Sequence, residues 1–176
     1  MSNTRNAVVI GGSGGGLSYT ANSGTTYPAN VTSITLPPDA TSIGTYAFYG
    51  FSSLASITLH DGVTSIGFYA FSGCASLTSI TIPDGVTSIG AGAFYGRSSL
   101  ASITLPSGVT SIGTSAFYGC SALMKLTVLA STPPTLGTSV LVGVPATCSI
   151  RVHAGSVAAY KAAPNWSDRA AYITAI

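Results

Sequence analysis

The stretch that decides the fold is Leu77-Thr-Ser-Ile80-Thr-Ile82-Pro-Asp-Gly85-Val86-Thr-Ser-Ile89-Gly90-Ala-Gly-Ala-Phe94-Tyr95-Gly96-Arg97-Ser-Ser99. It is followed at once by Leu100-Ala-Ser-Ile103-Thr-Leu105-Pro-Ser-Gly108-Val109-Thr-Ser-Ile112-Gly113-Thr-Ser-Ala-Phe117-Tyr118-Gly119-Cys120-Ser-Ala122. The second copy repeats the first at a fixed spacing without a gap. Outward from this pair, Val31–Ser53 and Leu54–Ser76 align to it in the same way, and a fifth unit starts at Leu123 and dissolves after Leu129. Phe48, Phe71, Phe94 and Phe117 form one column of the alignment, and Ile43, Ile66, Ile89 and Ile112 another. A period in this range is the signature of a solenoid.

Each unit has a physical reading. Leu54-Ala-Ser-Ile57-Thr-Leu59 alternates apolar and polar residues as a half-buried strand does. His60-Asp61-Gly62 has turn chemistry, as do Pro83-Asp84-Gly85 and Pro106-Ser107-Gly108. Val63-Thr-Ser-Ile66-Gly67 is a second short extended segment, and Ala70-Phe71-Ser72-Gly73 a tight helical or 3₁₀ turn that drops Phe71 inward. One unit cannot bury these apolar side chains alone, whereas stacked units bury them against each other at a strand spacing of about 4.8 Å. The fold class expected is therefore a repeat solenoid, mainly β with short helical or 3₁₀ turns, closed by a C-terminal strand-plus-helix cap. The domain reading is a Gly/Ser-rich lead over 1–30, repeats over 31–129 and a cap over 130–176. In the cap, Cys148–Val152 reads as the last strand, and Ser156 as the N-cap of a helix over Val157–Ala163 that Pro164 stops.

The unit L-x-x-I-x-L-P-x-G-V-T-S-I-G-x-x-A-F-x-G-C-x-x resembles the BspA-type (Treponema pallidum-like) leucine-rich repeats. The segments Ser131–Gly137 and Ile150–Ser167 are similar to the strand-plus-helix closure of such arrays. The resemblance implies a bacterial or protist surface protein of the adhesion or host-protein-binding kind, with the repeat cysteine as a small buried core residue. Cys74 and Cys120 hold that position, and Phe51 and Arg97 replace it in the other units. Two strand spacings separate Cys74 from Cys120, roughly 9.5 Å by strand geometry, too far for a disulfide, which needs Cα atoms within about 7 Å.

Composition narrows the function. Only 6% of the 176 residues are charged and the net charge is +2, against about 25% charged residues in average domains. Such a surface excludes dense phosphate neutralisation, so no nucleic acid partner is expected. It offers little charge repulsion against self-association or docking in a larger assembly. No apolar run approaches the roughly 20 residues of a membrane span. Ala7-Val8-Val9-Ile10 is too short for the apolar core of a signal peptide, about 7–15 residues, so either that export route is not used or the sequence is a piece of a longer chain.

Catalytic constellations are absent from the pattern. Gly12 and Gly14 lack the third glycine of a dinucleotide fingerprint, since position 17 is Leu17. His60 and His153 lie in separate regions, glutamate is absent, and the four aspartates, Asp39, Asp61, Asp84 and Asp168, stand apart. No enzyme, cofactor or metal site is expected.

Contact surfaces are the remaining candidates. Ser56, Ser79 and Ser102, beside Thr58, Thr81 and Thr104, form two outward rows on the exposed strand face. Tyr49, Tyr95 and Tyr118 recur just after the core phenylalanine, with Ser72 breaking the series, and Tyr46 and Tyr69 add a partial second column. Tyrosine suits interfaces because it offers much area at small entropic cost. In the lead, Val8, Val9 and Ile10 can add a strand to an edge while Tyr19 and Tyr27 fill gaps, which makes residues 1–30 a candidate docking segment. The function expected is a non-catalytic interaction module of a surface-exposed protein with a protein or glycan partner. The alternative is a structural or decoration subunit of a virion or extracellular appendage, docked through the lead. Either places the chain outside the cell, at a cell surface or on a virion.

Overall fold

The computed structural model describes residues 31–36 and 38–176. The proposed docking residues Val8, Val9, Ile10, Tyr19 and Tyr27 lie outside these, as does the whole lead.

The repeats stack in parallel. The back sheet runs β2 (Ser42–Ile43), β4 (Ser65–Ile66), β5 (Ser88–Ile89), β7 (Ser111–Ile112) and β9 (Thr135–Leu136) in that order. Ile43, Ile66, Ile89, Ile112 and Leu136 pair in register along it. Glycine follows each of these residues because the chain turns there against the turn before. A Cβ on Gly113 would fall 2.4 Å from the Ala91 nitrogen, and one on Gly137 2.3 Å from the Thr114 nitrogen.

Beneath the turns runs the phenylalanine column. Phe48, Phe71, Phe94 and Phe117 are fully buried, with ring centroids 5.4, 5.5 and 5.3 Å apart. The turns themselves are zipped by main-chain bonds. Gly92, Phe94 and Gly96 donate to the carbonyls of Thr114, Ala116 and Tyr118 in the next turn. Tyr46, Phe48 and Gly50 do the same to Phe68, Ala70 and Ser72. Alternate N–H groups thus satisfy alternate carbonyls one repeat on, which is how a solenoid pairs its backbone without long strands.

The front sheet is interrupted. Among the described residues β1 (Ser33–Thr35) pairs only with β3 (Ser56–Thr58), while β6 (Ser102–Leu105), β8 (Lys125–Val128), β10 (Ser149–Val152) and β11 (Ile173–Ala175) form a separate sheet. The third unit contributes the single bridge Thr81↔Thr104. Its expected strand at 79–82 does not form, so the exposed hydroxyl rows are not one continuous sheet.

Two expectations about the C-terminal part need correction. The fifth unit does not dissolve after Leu129. β9 pairs with β7, and the turn that follows receives main-chain bonds from Ser115, Phe117 and Gly119 at the carbonyls of Thr138, Val140 and Val142. Pairing of Lys125 with Ser102 and of Thr135 with Ser111 shows one extra residue between these strands, and that insertion hides the repeat from a fixed-period alignment. The chain also does not end its sheet at β10, since β11 pairs with it in parallel. Between them lie a 3₁₀ turn (Ala154–Ser156), α1 (Val157–Ala162) and a second 3₁₀ segment (Ser167–Tyr172). Ser156 stands at the N-cap position but makes no side-chain cap bond; its hydroxyl donates instead to the Ser131 carbonyl.

This closing segment supplies donors where the stack leaves carbonyls. Tyr160 donates its hydroxyl to the Ala130 carbonyl at 2.8 Å, and the Trp166 indole donates to Pro134 at 2.8 Å. Both rings are buried and meet edge to face. Asn165 sends its amide to the carbonyls of Leu136 and Gly137, a place taken in the interior by the next glycine N–H, as when Gly113 donates to Ile89. Burial pushes the Tyr160 hydroxyl up to about 12, consistent with a neutral donor.

Candidate functional site: an aromatic edge and a hydroxyl face

The turn after each back strand builds one edge of the molecule. Its third residue takes a left-handed backbone in Tyr46, Tyr69, Gly92, Ser115 and Ser139, with φ of 55, 50, 61, 55 and 57°. That geometry throws the side chain of Tyr46 and Tyr69 outward over the turn. Tyr49, Tyr95 and Tyr118 follow the buried phenylalanines and emerge on the same edge.

The structure joins what the sequence presents as two broken columns. Tyr46 stacks on Tyr69 with centroids 5.8 Å apart, Tyr69 meets Tyr95 at 5.6 Å, and Tyr95 stacks on Tyr118 at 4.9 Å with planes 4° apart. The crossing from one column to the other happens over Gly92. A Cβ there would lie 2.6 Å from the Tyr69 ring, so only a bare glycine lets that ring lean across to Tyr95. Ser72, which interrupts the Tyr49 series, lies buried at the same crossing. Tyr49 extends the array by an edge-to-face contact with Tyr46 at 5.4 Å.

Phe68 was not among the sequence candidates. It packs edge to face on Tyr46 at 5.4 Å and on Tyr69 at 4.5 Å. Its place in the repeat is held by threonine or alanine elsewhere, so only its exception to the pattern could have flagged it. Tyr46, Tyr49, Phe68 and Tyr118 are each between 36 and 41% exposed, too open for core residues and too clustered for scattered surface ones. The turns 44–50, 67–73, 90–96 and 113–119 that carry the strip contain no charged residue.

The hydroxyl candidates occupy the front sheet. Ser56, Thr58, Ser79, Thr81, Ser102 and Thr104 are all exposed. Thr35 faces Thr58, and Thr104 faces both Thr81 and Thr127. At the interruption, Ser79, Thr81, Ser102 and Thr104 border a shallow groove of about 340 Å³, with Asp84 and Leu129 at its end. The structure thus brings the tyrosines together on the turn edge and leaves the hydroxyls on an interrupted front face, as two separate surfaces.

The column of the repeat cysteine holds an irregular core position. Cys74 and Cys120 are buried, free, and donate their thiols to the carbonyls of Phe48 and Phe94. Burial pushes both thiols up to about 11, which leaves them unreactive. Arg97 takes the equivalent place one unit away and is 1% exposed. Burial pulls its guanidinium down from its ordinary value. No group of three or more His, Cys or Asp among the described residues is placed to hold a metal ion. No helix among them is long and apolar enough to cross a membrane.

Comparison with known proteins agrees with this architecture. The chain is similar to the crystal structure of the T. pallidum leucine-rich repeat protein TpLRR, at 29% identity and a TM-score of 0.60 over 68% of each chain. A leucine-rich repeat protein from Bacteroides ovatus matches at 26% identity and a TM-score of 0.53, over 70% of this chain and 40% of that one. The pneumococcal vaccine antigen PcpA shares the fold at 21% identity and a TM-score of 0.61, over 85% of this chain and 41% of that one. The chain therefore spans about two-fifths of the length of the last two. A search of the curated proteins finds no match. The BspA-type leucine-rich repeat region matches residues 22–140 in six copies, starting ahead of Val31, and the chain belongs to that family.

Proposed function

We propose that the chain is a non-catalytic interaction module of a surface-exposed protein, and that its aromatic turn edge is the face that meets the partner. The observation that carries this reading is the continuous strip from Tyr49 and Tyr46 through Tyr69 and Tyr95 to Tyr118. A protein that needs its rings only for packing buries them; this one keeps four large aromatic side chains more than a third exposed on a charge-free edge. Large rigid rings with a polar tip are the side chains that dominate contact energies in interfaces.

Membership of the family and the likeness to a T. pallidum repeat protein and a pneumococcal antigen support a place at a cell surface. The front hydroxyl rows are a second, flatter contact face, and adhesion is the use that both faces suit. The absence of glutamate and the separation of the two histidines argue against acid–base chemistry.

The test is a protein and glycan array probed with the full chain and with a Tyr49→Ser/Tyr95→Ser/Tyr118→Ser variant. Circular dichroism establishes that both are folded. Loss of the bound spots in the variant is expected. Unchanged binding removes the aromatic edge from the proposal.

A further inference from the structure

The last turn of the stack ends in an unanswered row of donors. At the junctions between turns, alternate N–H groups of one turn face the carbonyls of the next, three of them from the turns of Phe48, Phe94 and Phe117 and two, Tyr69 and Phe71, from the turn between. Ser115, Phe117 and Gly119, for instance, donate to Thr138, Val140 and Val142. The equivalent groups of the final turn are the N–H of Ser139, Leu141 and Gly143. Among the described residues none of these three has an acceptor. Their geometry is fixed by the left-handed Ser139 and Gly143, with φ of 57 and 78°.

The closing segment leaves this row uncovered because it offers the wrong half of the hydrogen bond. Asn165, Trp166 and Tyr160 are donors and satisfy carbonyls. Arg169 also donates, to the carbonyls of Leu141, Val144 and Pro145 at 2.8, 3.0 and 2.9 Å. It therefore holds the terminal turn rigid without touching its N–H groups. Between that turn and residues Asn165, Asp168 and Arg169 lies a half-open cleft of about 260 Å³, on the side where another turn would stack.

We propose that this cleft is a docking site for an uncharged peptide segment of a partner protein, captured through its alternate backbone carbonyls. Three donors on alternate residues match the alternate carbonyls along one edge of an extended or turn-forming chain. A single carboxylate or phosphate does not span them, and the cleft wall carries one carboxylate, Asp168, and one guanidinium, Arg169, so its charge selects for neither an anion nor a cation. Val142, 48% exposed beside the row, gives an apolar contact for the incoming side chain. The interior junctions show which backbone shape fits.

The experiment is a titration of the full chain, followed by amide NMR. The probe is an end-blocked peptide of the sequence Ile112–Gly119, whose Thr114, Ala116 and Tyr118 carbonyls receive such bonds inside the fold. Resonances of Ser139, Leu141 and Gly143 are expected to shift together, and their hydrogen exchange to slow by at least about fivefold. The same peptide with those three amides replaced by uncharged trans-alkene isosteres, which lack the carbonyls, is expected to do neither. The proposal is overturned if the three amides do not move at millimolar peptide, if the alkene peptide acts equally, or if acetate reproduces the shifts, which would mean a small-anion site. Shifts that appear on concentrating the protein alone would assign the cleft to a second copy instead and overturn the partner named here.

Discussion

The Arg97 guanidinium donates to the carbonyl of Leu77, the residue that opens its own repeat. Cysteine at this position in the neighbouring units reaches back instead, Cys74 to Phe48 and Cys120 to Phe94. Arg97 is too long for the slot, so its head group is driven to the front of the unit, where the strand fails to form. Its Nε and Nη1 have no hydrogen-bond partner among the described residues. A buried cation with orphan donors is costly, and a sheet that loses its ladder at the same unit is the local consequence.

Replacing Arg97 with the cysteine that the pattern prefers should therefore stabilise the chain. The expected gain is about 1–3 kcal/mol, the desolvation cost of a buried donor left without a partner. Urea denaturation measures it, and hydrogen exchange should show residues 78–81 becoming protected as the front sheet closes. A less stable Arg97→Cys protein would mean that the guanidinium supports the third unit rather than distorting it.

Phe94 stacks between Phe71 and Phe117 with planes 9° and 2° from theirs. Phe94→Ala opens a cavity in the middle of the column that neighbours stacked at a fixed repeat cannot fill by shifting. The expected cost is about 3–5 kcal/mol in chemical denaturation. A loss under about 1 kcal/mol would be within the range of a surface change and would remove the column from the core.

The buried thiols set an alkaline limit. Burial holds the Cys74 and Cys120 thiols protonated in the fold up to about 11, whereas an ordinary thiol loses its proton near 9.0. A group whose folded pKa is raised binds more protons folded than unfolded between those values. Its contribution is therefore present below pH 9 and is lost as pH rises through 11. Each thiol contributes on the order of 3 kcal/mol to that loss, and Tyr160 adds to it in the same direction. Stability measured at steps from pH 8 to 11 should fall less steeply in the Cys74→Ala/Cys120→Ala protein. Equal slopes would show that the thiols titrate as freely as in the unfolded chain.

Much of this is legible in the sequence, and the rest is not, for identifiable reasons. Fixed spacing of phenylalanine and isoleucine exposes the stack because each column is one contact repeated. It cannot see past the single residue inserted between Val128 and Thr135, although Leu136, Ser139 and Gly143 continue the pattern one step out of phase. The exposed tyrosines were readable as candidates, yet their union was not, because it depends on an absence: Gly92 is informative only once the Tyr69 ring is seen lying over it. Arg97 was visible as a replacement, but nothing in its spacing tells that a charged head stays inside.

That same glycine gives the sharpest test of the aromatic edge. Gly92→Ala places a methyl group 2.6 Å from the Tyr69 ring, at a φ of 61°. The backbone term is modest, since Ser115 and Tyr69 hold the same conformation in their own units, and an alanine there costs about 1–2 kcal/mol. The ring term comes on top, because Tyr69 must swing off Tyr95 and leave the strip in two halves. A double-mutant cycle separates the two: in a Tyr69→Ala background only the backbone term remains, so the penalty of Gly92→Ala should shrink by about 0.5–3 kcal/mol, the range for residues in contact. Near-ultraviolet circular dichroism should lose tyrosine signal in the single Gly92→Ala variant as the ring is released. If the penalty is the same in both backgrounds, Tyr69 does not lean across Gly92, and the aromatic edge is two separate patches, each too short to act as one contact face.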